Sequence, residues 1–219
     1  MVKAPPMALE AGADLVLASA SPRRRELLER LGLVLLVIPA DVDEAPQTGE
    51  LPGAYVRRIS IAKCDKVSAA LAPDDADGPK LAVLGADTTV VLDATILGKP
   101  SDEQEARAML VRLAGRRHEV ITGTSIRFGG RRIERAVTTL VALRALQSAE
   151  LDAYVASGEW RGKAGGYAVQ GIAAAFVTDL RGSVTNVIGL PLAEVLADLL
   201  ALGALPRYPP AAFGVSAGR

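Results

Sequence analysis

An aspartate in the middle of an apolar run needs a chemical reason. In Leu81–Asp93 the residues Leu81, Val83 and Val91 fall on one alternating face and Leu84, Val90 and Leu92 on the other, which is the pattern of a strand buried on both sides. Asp87 lies on the first face, where an unpaired carboxylate would cost roughly several kcal/mol. A metal, a cation or a catalytic role would account for it. If the strand instead ends near Gly85, Asp87 is a turn residue, and the residues alone leave both readings open.

Lys63 is the second anomaly. On a predicted helix over 52–71, a step of about 100° per residue puts Val56, Ile59, Lys63, Val67 and Ala70 on one stripe, so a charge interrupts an apolar face. It either snorkels to the edge or pairs a carboxylate or a phosphate. In Leu17–Arg25 (LASASPRRR), a strand end meets a helix start. Ser21 suits the N-cap and Pro22 the first helical position, and backbone N–H groups beside Arg23 and Arg24 could take a phosphate. The competing reading is a capped, solvated helix start.

Three further stretches carry weaker signals. Gly98-Lys99-Pro100 could deliver a cation near Asp87. Asp41-Val42-Asp43-Glu44 offers three carboxylates to a divalent cation, although acidic loops are commonly just solvated. Gly162–Gly171 (GKAGGYAVQG) sets glycines, Lys163 and an aromatic before a predicted strand, so a backbone could approach a ligand closely there and Gln170 could read a base edge. It matches neither the Walker A nor the dinucleotide fingerprint.

The elements that must position these residues read as α/β. Strands are expected over 14–19, 34–38 and 81–93, with helices over 22–31, 52–71 and 102–113. A long hairpin over 119–128 and 132–143 turns at Gly129-Gly130, so the sheet should be mixed. A helix over 149–157, a strand over 172–180 and a helix over 191–200 follow. Residues 1–13 read as a flexible extension, 14–203 as one domain, and 204–219 as a frayed Pro-rich tail.

Composition narrows the chemistry. Lys plus Arg equals Asp plus Glu at 25 each, so no global field draws the chain to nucleic acid or an anionic membrane, and any anion site must be local. No apolar run approaches the roughly 18 residues needed to span a bilayer. Cys64 is the single cysteine and His118 the single histidine, which removes intrachain disulfides, multi-cysteine zinc sites and di-histidine metal sites. Oxygen ligands would dominate any metal site and favour Mg or Mn. The expected location is the cytoplasm.

Five ordered blocks, Leu17–Leu28, Tyr55–Lys63, Gly85–Pro100, Trp160–Gly171 and Gly182–Pro191, together resemble the Maf family of nucleoside triphosphate pyrophosphatases, in the branch that acts on dTTP and UTP. The resemblance spans about 15–200. It implies an elongated, Maf/ITPase-like α/β fold with a mixed, strongly twisted sheet flanked by helices, a cleft between two lobes, and often a homodimer. It makes Asp87 the proton acceptor that activates water, with Lys63 and Lys99 beside it. Ser19, Arg23, Arg24 and Lys163 would bind substrate, and Arg23, Thr88 and Gln170 would occupy the positions tied to substrate choice. A divalent cation would bridge phosphates to Asp87 and Glu44. Val184 stands where the family often has Tyr, for which local repacking is expected. Competing readings are a pyrophosphatase for modified purine nucleotides and a non-catalytic nucleotide-binding regulator of septum formation.

Overall fold

The computed structural model describes residues 12–71 and 79–209. Most of the predicted extension and the tail beyond 209 lie outside these. Short β1 (Leu15–Leu17) and β2 (Leu35–Val37) flank α1 (Pro22–Glu29), and the 20-residue α2 (Pro52–Leu71) leads into β3 (Ala82–Leu92). β4 (Thr95–Leu97), α3 (Glu103–Leu113), and the hairpin β5 (Arg117–Phe128) and β6 (Arg131–Leu143) follow. The chain closes with α4 (Ser148–Ala156), β7 (Val177–Arg181), α5 (Val184–Ile188) and α6 (Leu192–Ala201).

The strands form one sheet in the order β2-β1-β3-β5-β6-β7, with β4 also paired to β3. β1 is parallel to β2 and β3, whereas the other pairings are antiparallel. The mixed sheet expected from the hairpin is therefore present. One expectation needs correction, and two short elements, β4 and α5, went unpredicted. Residues 172–176 wind into a 3-10 turn, so β7 starts only at Val177. β4 folds back on β3 through Asp93 and Ala94, both at positive φ. α5 is started by Ser183, whose side chain accepts from the Asn186 N–H.

The register of β3 creates the cleft. β5 occupies one edge of β3 from Val83 to Val91. On the other edge β1 pairs only with Ala82–Leu84 and β4 only with Val90–Leu92. Gly85 to Thr89 are left without a strand partner on that edge, a gap of about 17 Å at the usual rise per residue.

The core divides at the same place. On one face, Leu84 and Ala86 join Leu15, Leu17, Leu28, Val195 and Leu199, while Val90 and Leu92 join Leu110, Tyr154, Trp160 and Phe176. On the opposite face, Val83 packs with Cys64 and Val67, and Val91 with Val56 and Ile59 along α2. Asp87 and Thr88 sit at these breaks, so two lobes meet where the strand turns polar. The start of the predicted tail is anchored, because Leu205 is buried in the first lobe.

Candidate functional site

α2 can reach Asp87 because the sheet beneath it has no side chains in the way. A Cβ at Gly85 would run into the Ser60 carbonyl and the Cys64 amide, and one at Gly123 into the Val56 carbonyl. The two glycines let the helix lie directly on β3 and β5. Lys63 then projects along the sheet, and its Nζ donates to Asp87 Oδ1 at 2.8 Å. Both side chains are less than a tenth exposed. Burial without this pairing would be costly for either charge.

Glu44 completes the cluster, its Oε1 lying 2.5 Å from Lys63 Nζ and its Oε2 3.6 Å from Lys99 Nζ. The loop that carries it is strapped to α2. The Tyr55 hydroxyl donates to the Glu44 carbonyl at 3.0 Å, Arg58 donates to the Ala45 carbonyl, and Arg58 also forms a bidentate pair with Glu50. That pair draws the Glu50 carboxyl down to about 2, with the hydrogen bond from Arg58 as the main cause. Burial pushes Glu44 up, but its hydrogen bond from Lys63 and the charges of Lys63, Lys99 and Arg24 together hold it below its ordinary value. Burial pushes the Tyr55 phenol up to about 12, reinforced by Asp87 and Glu44.

The opposite wall starts at the end of β1. Ser21 occupies the N-cap position of α1 without making a side-chain cap, and its own N–H points to Ser19 Oγ at 3.3 Å. The helix start therefore keeps donors that an anion could use. Arg24 is buried, contrary to the solvated alternative. It donates to Ser19 Oγ, to the Ala86 carbonyl on the open edge of β3, to Thr88 Oγ1 and to the Gly189 carbonyl, all within 3.0 Å. Four of its five N–H groups are thus spent on fixing Ser19, Thr88 and the start of the Gly189 turn. Burial lowers its pKa, and the charge of Asp87 works against that.

Thr88 continues this network to Thr122 Oγ1 at 2.9 Å, and Thr122 donates to the Asn186 carbonyl. Asn186 is fully buried and donates to the Val120 carbonyl and to Thr139. The α5 segment is bolted to the sheet through these bonds. Val184, half exposed at the first position of α5, contacts none of them in this way.

Between these two walls lies one cavity of about 460 Å³. Ser19, Arg23, Arg24, Glu44, Lys63, Asp87, Thr88, Lys99, Lys163 and Gln170 all lie on its wall, so the structure brings together the site residues that the family resemblance implied. Asp41 and Asp43 do not reach it. Arg161 was not expected, and it enters beside Lys163 with its guanidinium over the Trp160 ring at 4.8 Å. The adjacent Arg-Gly-Lys spacing was the available signal.

Among the described residues the wall carries six Arg or Lys side chains against two carboxylates. A chain with no net charge therefore concentrates an excess of four positive charges in one cleft, which focuses its field on an anion. Desolvation and then the charge of Arg23 lower the Lys163 pKa. Burial likewise lowers that of Arg23. Both effects favour a bound anion that would offset the crowded cations.

The oxygen donors on the wall suit a divalent cation only in part. No group of three His, Cys, Asp or Glu side chains suited to a metal occurs among the described residues. Asp87 and Glu44 both touch the same ammonium nitrogen, so two carboxylates face one point of the cavity. An oxygen-only pair fits Mg or Mn, which commonly take one or two carboxylates and complete their shell with water and phosphate. It does not fit a protein-only metal cage.

Known proteins are similar to this chain over most of its length. The family model described as Maf-like protein matches residues 14–202. A dTTP/UTP pyrophosphatase of Cereibacter sphaeroides is 51% identical over 199 residues, which cover 90% of this chain and 99% of that protein. Proteins of the same name from Sphingopyxis alaskensis and Anaeromyxobacter dehalogenans are 52% and 50% identical, each covering 86% of this chain and 96% and 94% of their own. A solved Ham1 protein of Staphylococcus aureus superposes with a TM-score of 0.40 at 17% identity, over 59% of this chain and 71% of that one. With a family match across nearly all the described residues and half the sequence shared with full-length relatives, this chain belongs to the Maf family.

Proposed function

We propose that this chain is a nucleoside triphosphate pyrophosphatase that hydrolyses dTTP and UTP to the monophosphate and pyrophosphate. The observation that carries the reading is the cluster Asp87–Lys63–Glu44 set in the floor of a strongly cationic cleft. The names of the half-identical relatives supply the substrate class.

In this reading Lys63 holds Asp87 Oδ1, and Asp87 accepts a proton from a water through its other oxygen. The water oxygen bonds to the α-phosphorus, the bond to the α–β bridging oxygen breaks, and pyrophosphate leaves with the electron pair. Lys63, Lys99 and Arg23 stabilise the charge that gathers on it. A divalent cation held by Asp87 and Glu44 would supply further neutralisation of the phosphates. Ser19 and the start of α1 hold phosphate oxygens, while Arg24 keeps Ser19 and Thr88 in place. Gln170, exposed on the rim of the cavity, reads the base. We also propose a cytoplasmic house-cleaning role and a homodimer; among the described residues no helix is long and apolar enough to cross a membrane.

The test is a panel of dTTP, UTP, CTP, dATP and GTP with Mg or Mn, scoring pyrophosphate against phosphate release in oxygen-18 water. The reading expects dTTP and UTP to lead, pyrophosphate to be the product, and the label to appear in the monophosphate. Release of single phosphates, or label in pyrophosphate, would overturn it.

A further inference from the structure

We infer that His118 and Tyr167 form a positioning pair that sets where Lys163 and Gln170 meet the nucleotide. The inference rests on the substrate reading above.

The imidazole of His118 is buried on β5, with Nε2 2.7 Å from the Tyr167 hydroxyl and the two rings edge to face at 84°. Its Nδ1 has no hydrogen-bond partner among the described residues. Buried polar atoms are rarely left unpaired in folded proteins, so this ring tolerates an unpaired nitrogen while directing its other one wholly at Tyr167. Burial also drops its pKa to about 4, which keeps the ring neutral at ordinary pH. A neutral imidazole has one donor and one acceptor, and a single bond to one hydroxyl is the whole of its polar role here.

Tyr167 is a wall residue of the cavity and lies between Lys163 and Gln170 on the glycine-rich segment. The segment is also held at its ends, where Arg23 donates to the Gly162 carbonyl and the Ala168 N–H donates to the Tyr154 hydroxyl at 3.3 Å. Gly165 donates to the Gly98 carbonyl at 2.9 Å and presses against Val90 so closely that a Cβ would collide with it. Gly165 and Gly166 both have positive φ. The loop thus crosses β3 as bare backbone, and Tyr167 is the large side chain that fixes it to β5. Three residues after this pin the chain delivers Gln170, and four before it Lys163. A shift of Tyr167 moves both relative to Asp87, which sits on a different element and keeps its own hold through Lys63. The pair therefore governs substrate placement and discrimination, and leaves water activation to Asp87.

The test uses the full chain with Mg and the same nucleotide panel. Tyr167→Phe removes one oxygen and keeps the ring. It is expected to raise KM for dTTP roughly tenfold and to narrow the preference over CTP and GTP, with kcat within about threefold, as loss of one buried hydrogen bond allows. His118→Ala should do the same, and His118→Gln, whose amide can still meet the hydroxyl, should recover most of the loss. If His118→Ala fails to fold, Tyr167→Phe and His118→Gln decide the matter. Unchanged KM and ranking in Tyr167→Phe, or a fall in kcat alone, overturns the positioning role. Should the wild-type chain prefer another triphosphate, the substrate reading fails separately, and the KM of Tyr167→Phe for that nucleotide still tests the pair.

Discussion

Lys63 Nζ meets Asp87 Oδ1 at 2.8 Å across the junction of α2 and β3, and the same nitrogen lies 2.5 Å from Glu44. Two carboxylates therefore depend on one buried cation. Lys63→Met leaves Asp87 buried beside a thioether, and the expected cost is about 3 kcal/mol or more of unfolding free energy. Turnover should fall about a hundredfold or more with it. Urea unfolding and initial rates check this. Asp87→Asn should cost less stability, because Glu44 still holds Lys63.

Both anomalies in that pair were legible in the residues themselves, whereas their partnership was implied only by the family resemblance. Asp87 stood out by alternation and Lys63 by helical periodicity, yet periodicity on separate elements says nothing of which side chains meet. Gly85 and Gly123 decide that, by letting α2 lie on the sheet at backbone distance. The long elements, α2, β3 and the β5–β6 hairpin, carried enough residues to show their period. β4 has three residues and α5 five, too few for a pattern, and each is held by contacts distant in sequence. Residues 172–176, IAAAF, have strand-like content at the first and last positions, but the preceding glycine-rich turn winds them into a 3-10 turn. Arg24 was expected at the site. Three of its four protein bonds go to Ala86, Thr88 and Gly189, 62 to 165 residues away, and no local signal carries that.

The close approach of helix and sheet can be tested at Gly123. Gly123→Ala puts a methyl into the backbone of α2 at Val56, so helix or strand must shift. The expected loss is about 1–3 kcal/mol, and activity should drop as Lys63 moves off Asp87. Gly53→Ala is the control. Its Cβ meets nothing within 4 Å in the first turn of α2, and thermal unfolding should show it unchanged or about 0.5 kcal/mol more stable.

Glu44 gives the acid limb of stability a sign. Its folded-state pKa lies below the ordinary 4.5, so its contribution is fully present above that value and disappears as pH falls through the lowered one. The carboxylate is more than a third exposed, and solvent keeps the effect small. Glu44→Gln should therefore lower stability slightly at pH 7 and converge with the wild type in acid. Chemical unfolding at a series of pH values from 7 down to about 3 reads this directly. A constant difference across that range would contradict the assignment.

Gln170 stands on the rim with an amide that can donate and accept. Gln170→Glu removes the donor and adds a negative charge facing the substrate. The expected result is a weakened preference for dTTP and UTP, by roughly tenfold in relative kcat/KM. An unchanged ranking across the nucleotide panel would count against base reading by this residue.

The central claim is that Asp87 activates the water, and Asp87→Asn under single-turnover conditions with dTTP and Mg tests it most directly. Lys63 keeps Glu44 as a partner in that variant, so the cleft should survive and dTTP affinity should stay within a few-fold. The account predicts that pyrophosphate release slows by about 10²–10⁴-fold, the range expected for loss of a general base. Release at close to the wild-type rate, with nucleotide binding intact, would contradict it.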